Sequence, residues 1–325
     1  HVEDMWIQPV LNKDNTSGAI KVDVKISASS ESTVSAKFIL SDKAGNKLLS
    51  EDLVLTGDKN MLAGALTADV KKVTPWDNHN DTFVEVYTDR KLAEVIPYKV
   101  GFRRIEIIDK VIHLNGKRLI ITGVNRHEWS AKTGRVIGIK EMISDIQCMT
   151  RNNINSVRTC HYPDQIPWYY MCDEAGIYVM AETNLESHGS WQKLGAIEPS
   201  WNVPGSVLQW REAVVDRARN NFETFKNHTS ILFWSLGNES YAGDDIEAMN
   251  KFFKEKKDGR LVHYEGSYYT REYEDTISDV ESRMYAKPEE VEKYLINSAK
   301  KPYLLCEFMH DMGNSIGGLG SYMKL

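Results

Sequence analysis

The hydrophobic period of this 325-residue chain changes once, near residue 103, and that change limits the folds open to it. Before it, "AIKVDVKI" sets Ile20, Val22, Val24 and Ile26 in alternation with Lys21, Asp23 and Lys25. "TVSAKFIL" (33–40) and "TFVEVYTD" (82–89) continue in short runs, and "DKAGNK" and "TGDKN" supply turn signals with no helical stripe between them. A period of two sends successive side chains to opposite faces of a strand. Residues 1–103 are therefore expected to form an immunoglobulin-like β-sandwich of roughly seven antiparallel strands.

After "GFRR" strand-like and helix-like segments alternate. "RLIITG" (118–123) precedes "IGIKEMISDIQCMTRNN", where Ile139, Met142, Ile143, Ile146 and Met149 recur at helical spacing. "INSVR" (154–158) leads to a helix through Trp168 and Met171. "GIYVMAE" (176–182) leads through a long insertion to a helix carrying Val207, Trp210, Val214 and Phe222. "SILFWSL" (230–236), "LVHYE" (261–265), "SRMYA" (282–286) and "PYLLCE" (302–307) complete seven short, nearly continuous apolar runs, as a parallel sheet covered by helices requires. A closed barrel of this kind has eight strands. Residues 104–325 are accordingly expected to be a (β/α)8 TIM barrel, incomplete after its seventh strand. An open doubly wound sheet would need a Gly-rich phosphate turn, which the sequence lacks.

Charge narrows the partners. Forty Lys and Arg stand against 46 Asp and Glu, a formal net charge of −6, with no basic stripe for nucleic acid. No apolar run approaches the roughly 20 residues of a membrane span, and "HVEDMWIQPV" has neither the basic start nor the apolar core of a signal peptide. Cys148, Cys160, Cys172 and Cys306 occupy apolar contexts without metal-ligand spacing, which reads as reduced, packed thiols and a cytoplasmic location.

The carboxyl ends of barrel strands build the active site, and here each one carries a polar or ionisable group. The first strand is followed by Asn125, Arg126, His127 and Glu128, the second by Arg158 and His161, and the third by Glu182, Asn184, Glu186 and His188. The fourth delivers Asn238 and Glu239, the fifth Tyr264 and Glu265, the sixth Tyr285, and the seventh Glu307 and His310. Taken singly, each of these glutamates reads as a salt-bridged rim residue and each histidine as a hydrogen-bonded structural group. Convergence changes the reading, because several carboxylates in one mouth repel unless a proton or cation compensates. Two carboxyls facing across a mouth suit glycosidic bond cleavage, one as the acid for the leaving oxygen and the other as an ionised nucleophile.

The motifs "GVNRHE", "RTCHYP", "ETNLESHG", "WSLGNES" and "LLCEFMHDMGNSIGG" closely resemble, in order, those of the glycoside hydrolase family 2 β-galactosidases. The resemblance runs along essentially the whole chain and implies a retaining hydrolase of terminal β-D-galactosides acting through a covalent galactosyl-enzyme. It implies Glu239 as acid/base and Glu307 as nucleophile, with His127, Arg158, His161, Asn238, Tyr285 and His310 contacting the sugar or the transition state. Glu186, His188 and Glu239 would then hold a magnesium ion, and the full-length protein would be a homo-oligomer. The rival readings are a β-glucuronidase or β-mannosidase of the same family, and an inactive carbohydrate-binding fragment whose open barrel exposes unpaired edges.

Overall fold

The computed structural model describes residues 1–28, 33–58, 60–76, 94–188, 202–297, 299–310 and 317–324, and the backbone of 82–88. The tail of the last motif, 311–316, and part of the insertion after the third barrel strand, 189–201, lie outside the described residues.

Seven antiparallel strands come first: β1 (Val2–Leu11), β2 (Gly18–Ile26), β3 (Thr33–Asp42), β4 (Lys47–Asp58), β5 (Met61–Val70), β6 (Thr82–Thr88) and β7 (Val95–Val100). They pair in the order β1-β2-β5-β4-β3-β6-β7 within one continuous sheet. The long strand β4 follows β3 from Thr33↔Thr56 to Ser41↔Lys47. It meets β5 only at Thr56↔Ala63, Gly57↔Leu62 and Asp58↔Met61. That short contact lets the two halves of the sheet face each other. Ile20, Val22, Val24 and Leu62 from one half share a core with Ala36, Phe38, Leu40 and Leu55 from the other. The period-two alternation seen in the sequence is thus the alternation between this core and solvent.

A small antiparallel sheet of β8 (Ile105–Ile108), β9 (Val111–Leu114) and β10 (Lys117–Arg118) follows. Parallel strands come next: β11 (Gly123–Arg126), β12 (Ser156–Thr159), β13 (Tyr178–Glu182), β14 (Ile231–Ser235) and β15 (Leu261–His263) in one ladder, and β16 (Glu281–Met284) with β17 (Tyr303–Glu307) in a second. The Asp279 amide donates to the Val262 carbonyl at 2.9 Å and joins the two ladders. Among the described residues the parallel strands number seven. One boundary corrects the sequence reading. The first parallel strand is Gly123–Arg126, not 118–123, because Lys117 and Arg118 pair back onto β9.

Helices α1 (Ile139–Arg151), α2 (Ile166–Ala175), α3 (Leu208–Phe225), α4 (Asp244–Lys256), α5 (Pro288–Asn297) and α6 (Leu319–Tyr322) fall between or after these strands. Between β15 and β16 the chain forms two short 3-10 turns, Gly266–Tyr268 and Arg271–Tyr273. Helix α4 carries Asp244, Asp245 and Glu247 in its first turn and Lys254 and Lys256 in its last, which complements its dipole. On α1 only part of the expected stripe is used: Met142 and Met149 are buried, whereas Ile139 and Ile143 are exposed. One core lies between strands and helices, with Val157, Val179, Ala181 and Trp234 against Met142, Trp168, Phe222 and Phe253. Another joins Met180, Phe233 and Leu261 to Ile105, Ile112 and Leu114 of the small sheet. No described helix is long and apolar enough to cross a membrane.

The antiparallel unit rests on the loop that enters β14, at the end of that strand opposite Asn238 and Glu239. The Ile7 amide donates to Asn227 Oδ1 at 2.8 Å, and Asn227 Nδ2 donates to the Met5 carbonyl at 2.7 Å. Arg103 donates to the Thr229 and Ile231 carbonyls, each at 2.6 Å. Gly101 donates to Thr229 Oγ1 at 2.8 Å, and a Cβ there would come within 2.2 Å of Thr229 Cγ2, so only glycine fits.

Candidate active site

Strands β11 to β15 run in parallel register, so their last residues reach one level. Arg158 of β12 organises what they present. A guanidinium has five N–H donors in a fixed fork, and Arg158 turns them to five neighbours, the loosest being His161 Nδ1 at 3.3 Å from Nη2. Nε and Nη2 hold Glu182 at 2.6 and 3.1 Å, Nη1 reaches Glu307 at 2.8 Å and Asn125 at 3.2 Å, and Nη2 reaches Asn238 at 2.8 Å. Burial works against its charge, yet Glu182 and Glu307 hold the guanidinium protonated far beyond neutral pH.

Glu182 is fully buried and fully engaged. Besides Arg158 it accepts from Ser235 Oγ at 2.7 Å and meets His161 Nδ1 at 2.8 Å. Ser235 also meets His263 Nδ1 at 2.9 Å, and His263 Nε2 meets Ser282 Oγ at 2.7 Å. Burial, reinforced by Arg158, drives the pKa of His263 far down, so the imidazole is neutral and bridges two hydroxyls.

Glu307, at the end of β17, receives Arg158 on Oε1 and the Tyr285 hydroxyl on Oε2 at 2.5 Å. Burial alone would raise its pKa, but Arg158, Tyr285 and His161 outweigh that, and the carboxyl titrates below its ordinary value. Glu239 is set the other way. Burial raises its pKa, Glu307 and Glu186 add to the rise, and His188 only partly opposes it. One carboxyl is therefore biased toward its ionised form and the other toward its protonated form.

The local sequence explains how Glu239 gets there. Gly237 has φ +148°, and a Cβ on it would lie 2.6 Å from the Leu185 carbonyl oxygen, so glycine is needed where β14 ends. The Asn238 amide then donates to that carbonyl at 2.8 Å. The Glu239 amide donates to Glu265 Oε1 at 2.7 Å. Burial, only partly countered by Arg158, lifts the pKa of Glu265 to about 8.

The oxygens of Glu186 and Glu239 and a ring nitrogen of His188 lie within 4.8 Å of one another. His188 Nδ1 contacts the Glu239 carboxylate directly and stands 3.6 Å from Glu186 Oε1. Asn238 Nδ2 donates to Glu186 at 3.3 Å. The remaining expected residues stand one step further out. His127 packs edge-on against His161 with ring centroids 5.2 Å apart, and His310 lies 6.4 Å from the Tyr285 ring.

All the expected site residues are therefore gathered at one end of the parallel strands, and two important partners, Glu182 and Glu265, lie outside the expected set. In the sequence Glu182 and Glu265 are strand-end glutamates, and a strand-end glutamate by itself is ordinary. Their burial, at 0% and 1% exposure, sets them apart, and burial depends on neighbours that the local sequence does not specify.

The family profile "Glycosyl hydrolases family 2, TIM barrel domain" matches residues 105–325. A β-galactosidase large subunit of Lactobacillus acidophilus is 55% identical over 331 residues, covering 100% of this chain and 52% of that protein. A β-galactosidase large subunit of Lactobacillus helveticus is 65% identical over 256 residues, covering 77% of this chain and 41% of that protein. The chain thus spans about half the length of the curated relatives it matches. Among solved structures, a putative β-galactosidase from Bacteroides fragilis superposes with a TM-score of 0.81 at 18% identity, over 95% of this chain and 47% of that one. A β-glucuronidase from Ruminococcus gnavus gives 0.74 at 20% identity, over 98% and 56%. At those identities the likeness is one of fold.

Proposed function

The chain belongs to glycosyl hydrolases family 2, and on that premise we propose that it carries the acid/base and the nucleophile of a retaining β-galactosidase. One observation carries the reading: a single buried guanidinium, Arg158, binds both Glu307 and the Asn238 that precedes Glu239. The two carboxyls are thereby tied to a common centre. Their opposite pKa directions support the same division of labour.

In the proposed first step protonated Glu239 gives its proton to the glycosidic oxygen while Glu307 attacks the anomeric carbon. The bond to the leaving group breaks as the glycosyl ester forms. In the second step Glu239, now ionised, takes a proton from water, which attacks the same carbon and releases Glu307. Tyr285 and Arg158 stabilise the carboxylate that departs, and Asn238 is placed to bind the sugar 2-hydroxyl. His127, His161 and His310 line the same mouth as sugar contacts.

Glu186, His188 and Glu239 fit a magnesium ion in one respect and strain the fit in another. Two carboxylate oxygens suit a hard cation, whereas imidazole is an unusual ligand for it, and the three donors converge closely enough to share one ion. A bound cation would neutralise crowded carboxylates around Glu239.

The same reading takes residues 1–103 as an immunoglobulin-like domain and 104–325 as the catalytic barrel of a cytoplasmic enzyme. The name "large subunit" of the relatives favours an assembly with a second kind of subunit over the homo-oligomer expected from sequence. The test is to incubate the full-length protein with nitrophenyl β-D-galactoside and with the matching glucuronide and mannoside, following the first-formed sugar by NMR. Selective release of β-galactose is expected. First-formed α-galactose would overturn the retaining mechanism, and a preference for the glucuronide or mannoside would overturn the substrate.

A further inference from the structure

Glu239 is poorly placed to hold itself. Its φ is +35°, a region that residues with a side chain seldom adopt unless their surroundings enforce it. It also follows Gly237, where the chain leaves the β14 ladder. What enforces the conformation is a row of partners from other strands. The Asn238 amide is taken by the Leu185 carbonyl at 2.8 Å. The Glu239 amide is taken by Glu265 Oε1 at 2.7 Å, and the Ser240 amide by the Tyr264 hydroxyl at 3.1 Å. Tyr264 and Glu265 are consecutive residues just past β15, so one short segment fixes two consecutive peptides of the loop.

The Glu265 side chain is 1% exposed, and its second oxygen, Oε2, is buried without a hydrogen-bond partner among the described residues. A buried carboxyl with one oxygen unsatisfied opposes folding. Its hydrogen bond to the backbone of Glu239 gives it a different purpose. We infer that Glu265 is a positioning residue for the acid/base: its carboxyl clamps the Glu239 amide and so fixes where the Glu239 carboxyl meets the leaving oxygen. The inference rests on the acid/base role proposed above for Glu239.

Leaving groups distinguish this role from a merely structural one. A dinitrophenolate departs without a proton, whereas the sugar alcohol released from lactose needs one. The ratio of kcat/KM for dinitrophenyl β-D-galactoside to that for lactose therefore reports the delivery of the proton. Because it is a ratio, it does not depend on how much of the protein is folded.

The experiment measures this ratio in full-length wild type, Glu265→Leu, Glu265→Ala, Glu265→Gln and Glu239→Gln. Glu239→Gln should raise the ratio most. Glu265→Leu and Glu265→Ala should raise it at least tenfold, since a misplacement of about 1 Å can cost about a hundredfold in rate. Glu265→Gln keeps an oxygen acceptor for the amide and should stay within about threefold of wild type. An unchanged ratio in Glu265→Leu and Glu265→Ala, or a ratio in Glu265→Gln as high as theirs, would overturn the clamp while leaving Glu239 as the acid/base. An unchanged ratio in Glu239→Gln would overturn the acid/base assignment and the clamp with it.

Discussion

The antiparallel unit and the parallel strands bury different things. Among the described residues, the buried side chains of the first hundred residues are apolar, and the buried polar and charged ones begin at Asn115. Arg158, Glu182, Ser235, Asn238, His263 and Glu265 all sit at or just beyond the carboxyl ends of parallel strands. In the first region sequence order sets stability by the simplest route, the removal of hydrocarbon from water. In the second, buried ionic groups contribute little net stability and break the structure if one partner is lost. Their return is geometric, since each is held by several others. Five substitutions and a change of pH can break or sharpen this contrast.

The largest effect is expected at Glu307. Changing Glu307→Gln in the full-length protein removes the proposed nucleophile yet keeps the shape, and kcat for nitrophenyl galactoside should fall by about 10⁴-fold or more. The midpoint of thermal unfolding should move much less than kcat, because Arg158 keeps Glu182 as its counter-ion and the amide still offers an oxygen acceptor. Residual activity near the wild-type level would end the covalent mechanism.

Next comes a pair of substitutions with similar costs in stability and opposite costs in activity. Arg158→Met leaves Glu182 buried beside hydrocarbon, a loss of about 3–5 kcal/mol, and it also releases Glu307 and Asn238. Phe38→Ala empties a site that is 1% exposed in the first region, again a loss of about 3–5 kcal/mol. Chemical denaturation should rank the two together. Activity per folded molecule should be nearly abolished by Arg158→Met and unchanged by Phe38→Ala. If Phe38→Ala also lowered activity per folded molecule, the two regions would not be separable as stability and chemistry.

The two regions also differed in how much the sequence revealed. Alternation in "AIKVDVKI" fixes which side chains face the core, because a strand's period leaves no other choice, and Ile20, Val22, Val24 and Ile26 are all buried. The ordered motifs single out Glu239 and Glu307, and in the structure Arg158 bonds Glu307 and the Asn238 that precedes Glu239. Two features were not legible. The first parallel strand began later than the apolar run "RLIITG" because Lys117 and Arg118 paired with β9, a tertiary competition that local propensity does not register. The importance of Glu182 and Glu265 comes from burial among side chains and peptides 21 to 53 positions away, such as Ser235 against Glu182 at a separation of 53.

A smaller effect separates two supports of the same carboxylate. The pKa of Glu307 is lowered against burial, first by Arg158 and then by the Tyr285 hydroxyl, and His161 acts in the same sense. A nucleophile must be ionised, so a lowered pKa extends activity toward acid, and the acid limb falls as pH drops through that pKa. Tyr285→Phe removes one donor and leaves Arg158 in place. The acid limb of kcat/KM should move to higher pH, by less than the shift any residual activity of Arg158→Met would show. No movement, or movement toward acid, would mean that the Tyr285 contact does not tune the nucleophile.

The smallest effect is expected where the two regions touch. Lys226 Nζ donates to Asp4 Oδ1 of β1 and to Glu223 Oε2, both at 2.6 Å. The lysine is 4% exposed, but Asp4 is 37% exposed, so water screens the pair. Asp4→Asn keeps a carbonyl acceptor at the same place, and Lys226 keeps Glu223 as a counter-ion. The expected loss is therefore at most about 1 kcal/mol, shrinking further in high salt. The docking instead depends on Asn227, which exchanges hydrogen bonds with Ile7 and Met5, and on Arg103 held to two carbonyls before and in β14. Thermal unfolding of Asp4→Asn at low and high ionic strength decides between the two. A loss of several kcal/mol that persists in salt would make the ion pair, rather than the neutral hydrogen bonds, the joint between a region built for stability and one built for chemistry.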